Sequence, residues 1–278
     1  MIKKLLVGVD SSTHSRSVQS YAFSLAKRFH AAIIGLHVVD IVSIEGSYLH
    51  DISGSLGLEP YLDFSSKMRE VLTARGKSVL EEFATAAARD GVEVETQLDM
   101  GIVPNQISDR ARNADLVIIG HRGVNEKFST GLLGHTAEAV ARRCPRPLFI
   151  APLQYREIER PVLAYDGSDR AAKAMHAAAE ICTELAVPLT ILTVARDPRL
   201  GQKVLDEARK YVDTYKIRTE FQHMGGYAPE GIVNFLRGTR ADLVFIGAYG
   251  HSRIVEMVLG STTEYVLRNA PCAVFLTR

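Results

Sequence analysis

Short apolar runs alternate along the chain with stretches of helical patterning. In the first half the runs fall near 4–9, 32–39, 93–99, 115–120 and 147–151. In the second they fall near 161–165, 189–195, 218–222, 242–247 and 272–277. Most are near-continuous Val, Ile and Leu, the composition of strands covered on both faces. Helical patterning occupies 15–29, 67–89, 170–185 and 202–215 between them. This alternation predicts an α/β fold, a parallel sheet with helices on both faces.

The pattern occurs twice. Ala114-Asp-Leu-Val-Ile-Ile-Gly120 returns as Ala241-Asp-Leu-Val-Phe-Ile-Gly247, an offset of 127 residues. Cys144-Pro-Arg-Pro-Leu-Phe-Ile-Ala returns as Ala270-Pro-Cys-Ala-Val-Phe-Leu-Thr, an offset of 126. Asp10, after the first run, matches Asp166 at an offset of 156. About 29 extra residues must therefore sit inside the first copy. They fall near 41–66, a stretch containing Gly46, Gly54, Gly57 and Pro60. That stretch reads as an irregular insertion, or as a loop followed by extra helix. It follows the second strand, so part of it is expected to be mobile or to cover the first copy's ligand side. A repeat this long is a duplicated domain rather than a solenoid unit. The expected domains are 1–153, with the insertion, and 160–278, joined by a polar, charged link. The last strand of each copy has an apolar edge that would otherwise be exposed. The two edges are expected to meet antiparallel, making an internal pseudo-dimer.

Composition narrows the function. The 278 residues suit about two domains at roughly 150 each. A net charge of +1 gives no electrostatic footprint for nucleic acid. The longest apolar stretch, from Ala31 to Val39, has nine residues, whereas a membrane span needs about 20. The apolar start stops at Asp10, too soon for a signal peptide. No membrane association and a cytoplasmic location are therefore expected. Cys144, Cys182 and Cys272 are odd in number and far apart, so they read as buried small hydrophobes, not a disulfide framework or zinc site.

In an open parallel sheet, ligands sit beyond the carboxyl ends of strands where the strand order reverses. After the first strands stand Asp10-Ser-Ser-Thr and Asp166-Gly-Ser-Asp. Helix capping, by Ser12 or Asp169 for example, accounts for part of this. It does not account for an Asp at the strand end in both copies. After the fourth strand, copy two reads Gly247-Ala-Tyr-Gly250, nine residues, then Gly260-Ser261-Thr262 at the start of a helix. Glycines let backbone amides approach a ligand, and a helix N-terminus with free N–H groups attracts phosphate. Ser261 and Glu264 also read as a capping box.

With these residues the chain resembles the universal stress protein family in its tandem form. The family's nucleotide signature, G-2x-G-9x-G-[S/T], is matched by Gly247, Gly250, Gly260 and Ser261, with Thr262 following. The resemblance covers essentially the whole chain. It implies two tandem Rossmann-like domains, each a five-stranded parallel sheet of order 3-2-1-4-5. It also implies bound adenine nucleotide, ATP or its ADP and AMP forms, with Mg²⁺ arriving only alongside it. In ATP-binding members the strand-end Asp and a Val ending the second strand contact adenosine. Here these are Asp166 and Val194, and Asp10 and Val38.

Copy one departs from the signature. It reads Gly120-His121-Arg122-Gly123, ten residues including Gly131, then Gly134-His135. The loop is one residue longer and His135 replaces the hydroxyl, so weaker nucleotide binding is expected in domain one than in domain two. His121 and Arg122 are candidates to supply positive charge to a phosphate instead. His121 and His135 without a carboxylate or Cys pattern make a poor metal pair.

Gly76-Lys77-Ser78 imitates the end of a P-loop, but the earlier position is Val71, not Gly, and the tripeptide lies in a helical pattern. No G-x-G-x-x-G or G-x-S-x-G follows a strand. No S-G-G-x-D loop or H-x-G-H pair follows the first strands either, and no set of acid, base and nucleophile stands out. The leading expectation is an adenine-nucleotide-binding stress-response protein, a sensor or regulator more than a catalyst. Its expected partners are the nucleotide, a second copy in a homodimer, and an unidentified protein. Two alternatives stay open: a slow ATPase or autophosphorylating protein with Ser261 or Thr262 near the γ-phosphate, and a nucleotide-free scaffold using the insertion.

Overall fold

The computed structural model describes residues 2–41, 60–123, 133–248 and 259–277, with only the backbone of 60–65. Most of the expected insertion, including Gly46, Gly54 and Gly57, lies outside the described residues. So do Gly131 and Gly250, and so does the expected cover over the first site.

The first half runs β1 (Lys4–Gly8), α1 (Ser15–Phe29), β2 (Ala32–Asp40), α2 (Pro60–Arg89), β3 (Val94–Gly101), α3 (Val103–Ala111), β4 (Leu116–Gly120), α4 (His135–Arg143) and β5 (Leu148–Ala151). The second runs β6 (Pro161–Ala164), α5 (Asp169–Leu185), β7 (Leu189–Val194), α6 (Pro198–Val212), β8 (Thr219–Met224), α7 (Ala228–Thr239), β9 (Leu243–Gly247), α8 (Ser261–Asn269) and β10 (Ala273–Thr277). Helix α2 begins at Pro60, ahead of the expected 67. Proline suits a first helical position because its missing N–H has no partner there anyway.

The ten strands of the described residues join one sheet, of order β3-β2-β1-β4-β5-β10-β9-β6-β7-β8. Each half has the order 3-2-1-4-5 and is parallel throughout. The halves meet where β5 and β10 pair antiparallel, with Leu276 opposite Leu148, Phe275 opposite Phe149 and Val274 opposite Ile150. Phe149 and Phe275 occupy equivalent positions in the two copies. Their apolar edges, which alone would attract other strands, cover each other.

Alternation along the strands divides the core. Leu5, Val7, Ile118 and Phe149 face one way with Leu163, Ile191, Phe245 and Phe275, against α1, α2, α5 and α6. Leu6, Val117, Ile119 and Ile150 face the other way with Val162, Leu192, Val244 and Val274, against α3, α4, α7 and α8. Each core layer is continuous across both halves. Cys144, Cys182 and Cys272 are buried and make no disulfide. Burial pushes the Cys182 and Cys272 thiols up to about 12.

The repeated Ala-Asp-Leu-Val motif has a structural task at the amino ends of the strands. Asp115 Oδ2 accepts from the backbone N–H groups of Lys3 and Lys4 at 2.8 and 2.9 Å. Asp242 Oδ2 accepts likewise from Glu159 and Arg160 at 2.9 and 2.8 Å. Each carboxylate pins the entry of the first strand beside the fourth. Burial raises the Asp242 pKa, and the two amides partly offset it.

Candidate functional site

The carboxyl ends of the strands open into one pocket per half, where the order reverses between the first and fourth strands. In each, the strand-end Asp folds back on the chain that follows. Asp10 Oδ1 accepts from Ser12 N at 3.0 Å. Asp166 Oδ1 accepts from Ser168 N at 3.0 Å and from the Ser168 hydroxyl at 2.6 Å. These bonds leave the second carboxylate oxygen of each Asp for another partner.

The caps differ from the sequence reading. Ser168, not Asp169, caps α5: its Oγ accepts from Ala171 N at 3.2 Å. Asp169 is already the first helical residue. Helix α1 has no side-chain cap, and Ser12 contributes only its carbonyl, to Ser15 N at 3.2 Å. The expected capping box at Ser261 and Glu264 is absent. Gly260 is the cap position and has no side chain to cap with, so Ser261 falls inside the helix. Glu264 points to Arg268 at 2.6 Å instead.

Two anchors escaped the sequence reading. The His37 ring donates from Nδ1 to the Val9 carbonyl at 2.7 Å. At the equivalent position Thr193 donates to the Tyr165 carbonyl at 2.8 Å. Both fasten the end of the first strand to the second, just before Val38 and Val194. Only the matched repeat, aligned residue by residue, signals this role.

Gly120 and Gly247 are required by close approach. A Cβ on Gly120 would stand 2.9 Å from the His14 Cβ. One on Gly247 would stand 2.7 Å from the Arg170 backbone carbon. The helix that follows the first strand thus starts directly over the end of the fourth. Thr263 fixes the second site further, donating from Oγ1 to the Gly247 carbonyl at 2.8 Å.

Two separate cavities among the described residues measure about 590 and 480 Å³.

 The larger figure belongs to a separate hollow on the amino-end side of the sheet, among Arg156, Arg160, Arg237 and Arg240. The strand-end pocket of domain one is the 480 Å³ cavity, within the usual range of small-ligand sites, roughly 300–1,000 Å³. Leu36, Val38, Val103, Ile107 and Ile119 make its apolar wall. Asp10, Gly120, Gly123, Gly134 and His135 also line it, with Arg75 and Arg122. The domain-two pocket measures about 120 Å³ among the described residues. It brings together Asp166, Val194, Gly247, Gly260, Ser261 and Thr262.

The glycine cradle of domain one is closed on itself. Gly134 N–H donates to the His121 carbonyl at 3.0 Å. A Cβ on Gly134 would stand 3.1 Å from the Arg122 Cα and 3.2 Å from the His121 carbonyl oxygen. A Cβ on Gly123 would stand 3.3 Å from Asp10 Oδ2. The crevice thus offers glycine backbone, a helix start and a carboxylate opposite an apolar wall. Those groups fit a phosphate beside an apolar ring.

His121 does not serve the pocket as its sequence position suggests. Its Nε2 donates to the Leu267 carbonyl of α8 at 2.6 Å, across the domain junction. Burial lowers its pKa, with His14 and Arg122 adding to the effect, so the ring is neutral near pH 7. It therefore lends no positive charge to a phosphate. Arg122 does line the cavity. Among the described residues no group of three His, Cys, Asp or Glu is placed to hold a metal ion.

Around this contact, Glu138, Arg142, Glu264 and Arg268 link α4 to α8. Arg142 meets Glu138 at 2.7 Å and Glu264 at 3.8 Å, while Arg268 meets Glu264 at 2.6 Å and Glu138 at 3.4 Å. Partly exposed pairs contribute little each, about 0–1 kcal/mol. A buried neutral His has a clearer consequence. Its folded-state pKa lies below 6.5, so the unfolded chain takes up the proton first as pH falls. Its contribution is nil well above that value and destabilising below it. Urea unfolding at pH 7.5 and 5.5 should show a smaller loss in His121→Gln than in the unaltered chain. Equal losses would remove His121 as the source.

The fold agrees with comparisons to known proteins. The universal stress protein family profile matches residues 1–152 and 202–278. Universal stress protein Slr1230 of Synechocystis sp. is 30% identical over 100% of both chains. A universal stress protein from Archaeoglobus fulgidus superposes with a TM-score of 0.75, covering 99% of this chain and 98% of its own, at 23% identity. A putative universal stress protein from Pseudomonas aeruginosa reaches 0.69, covering 99% of this chain and 92% of its own, at 13% identity. The chain belongs to the universal stress protein family, with two tandem α/β domains.

Proposed function

We propose that this protein binds adenine nucleotide, ATP or its ADP and AMP forms, and acts as a stress-response sensor or regulator rather than a fast catalyst. One observation carries the reading. In each half, the crevice at the reversal of strand order sets a glycine-edged helix start beside a strand-end Asp and an apolar wall. The full signature at Gly247, Gly250, Gly260 and Ser261 supports domain two as an ATP site, although Gly250 lies outside the described residues. The cavity in domain one supports a second receptor. Asp10 and Asp166, with Val38 and Val194, are assigned to adenosine; Gly120, Gly123, Gly134, Gly247, Gly260, Ser261 and Thr262 to phosphate. Any Mg²⁺ is expected to arrive with the nucleotide.

We assign the domains to 1–153 and 160–278 and read them as an internal pseudo-dimer, in keeping with the β5–β10 pairing. A homodimer and a protein partner complete the proposal, in the cytoplasm. Among the described residues no helix is long and apolar enough to cross a membrane.

Mass spectrometry of small molecules released by denaturing the purified protein tests the ligand class. Adenine nucleotide is the expected result, with ATP favouring a sensor and ADP or AMP favouring turnover. Recovery of no nucleotide, together with no heat of binding when ATP, ADP or AMP is added, would end this reading.

A further inference from the structure

The two pockets differ in charge. Among the described residues, the domain-two lining contains neither Lys nor Arg. The domain-one lining contains two arginines, and one comes from outside the nucleotide signature. Arg75 sits on α2, the helix that follows the inserted stretch. Its Nη2 donates to the Ser11 hydroxyl at 2.8 Å, which holds the side chain over the turn after β1. Ser11 follows Asp10, whose Oδ2 faces Gly123 of the glycine cradle. The guanidinium is thus tethered on the same side of the cavity as the cradle.

A guanidinium has five N–H donors in a rigid fork, and a single hydroxyl occupies one of them. The remaining donors match phosphate oxygens. Among the described residues domain two has no equivalent tether: Gly167 replaces Ser11, and a Cβ there would face Val204 of α6 at 3.4 Å.

We propose that Arg75 makes the domain-one pocket selective for nucleotides with more phosphate charge, so that the two pockets discriminate adenine nucleotides differently. This rests on the nucleotide reading above. Among the described residues domain two offers its ligand backbone amides, hydroxyls and Asp166 but no cation, so it is expected to distinguish phosphate number weakly. Domain one adds a cation and favours ATP over AMP. A charge-assisted hydrogen bond of about 1.5–3 kcal/mol corresponds to roughly ten- to a hundredfold in affinity. Arg75 is exposed, so solvent and salt screening bring the expected effect to the lower end, about tenfold at low ionic strength.

The test uses the full chain. Gly260→Val first silences domain two, and calorimetry then measures ATP, ADP, AMP and adenosine at low salt. In that background ATP should bind about tenfold more tightly than AMP. Adding Arg75→Ala should remove most of that preference and leave adenosine affinity unchanged. Arg75→Lys should restore part of it, and 0.5 M salt, by screening on the order of a few ångströms, should erode it. Ser11→Ala cuts the tether but keeps the charge, so it should retain more of the preference than Arg75→Ala does.

Equal weakening of ATP and adenosine in Arg75→Ala would reduce Arg75 to a prop for the β1 turn and overturn the proposal. An unchanged ATP-to-AMP ratio would overturn it as well. Binding by the unaltered chain but none by Gly260→Val would overturn it while leaving the nucleotide reading intact. No binding by either chain would remove the nucleotide reading itself, and this proposal with it.

Discussion

Phe275→Ala should destabilise the whole chain by about 3–5 kcal/mol, the usual cost of emptying a buried Phe site. Phe275 is 2% exposed and its ring lies 5.1 Å from that of Phe245. It stands on β10 directly opposite Phe149 of β5, which is 1% exposed and 4.9 Å from the Tyr21 ring. The cavity therefore opens at the seam between the halves, in a core layer that both share. Against a typical total of about 5–15 kcal/mol, such a loss is large. The chain has no Trp, so urea unfolding is followed by tyrosine fluorescence and circular dichroism. Hydrogen exchange should quicken in β4 and β5 as well as in β9 and β10. Acceleration confined to β9 and β10 would show that the halves respond separately despite the continuous sheet.

Much of this architecture is legible in the sequence, because a strand covered on both faces leaves a run of Val, Ile and Leu. Eight of the ten described strands lie within such runs; the edge strands β3 and β8 are polar and only partly buried, and the reversal of order that makes the crevice follows from the family resemblance. The short helices are harder to read. Helix α3 has nine residues and only Ile107 and Ala111 buried, too little apolar spacing to stand out. Capping misleads for a different reason. Ser261 and Glu264 have capping-box spacing, but the chain enters α8 through Gly260, and Arg268 one turn along the same helix claims Glu264. The charges in domain one illustrate the limit most clearly. His121 and Arg122 are neighbours in sequence, yet one turns to the Leu267 carbonyl and the other lines the cavity. Arg75, 64 residues from Ser11, enters the site only through the packing of α2. No local pattern announces a contact that the tertiary fold creates.

Gly260→Val and Gly134→Val should each remove nucleotide binding from one pocket and leave the other. Sequence alone gives Gly260 the greater weight, since domain two carries the full signature. The cavity around Gly134 adds weight to domain one. At Gly134 even a Cβ meets backbone at 3.1 and 3.2 Å, and backbone cannot swing aside as a flexible side chain can. Valine adds two methyl groups to that contact and should push residues 121–123 out of the cradle. At Gly260 the new side chain would stand at the cap of α8, beside the Ser261 start that lines the pocket. Losing one hydrogen bond to a charged phosphate costs about 1.5–3 kcal/mol, or roughly ten- to a hundredfold in affinity. Calorimetry with ATP should therefore give two sites in the unaltered chain and one in each variant, with circular dichroism confirming that both remain folded. Full binding by both variants would show that the glycine-edged crevices are not the nucleotide sites. If Gly134→Val removes all binding and Gly260→Val removes none, domain one is the sole receptor and the signature in domain two is silent.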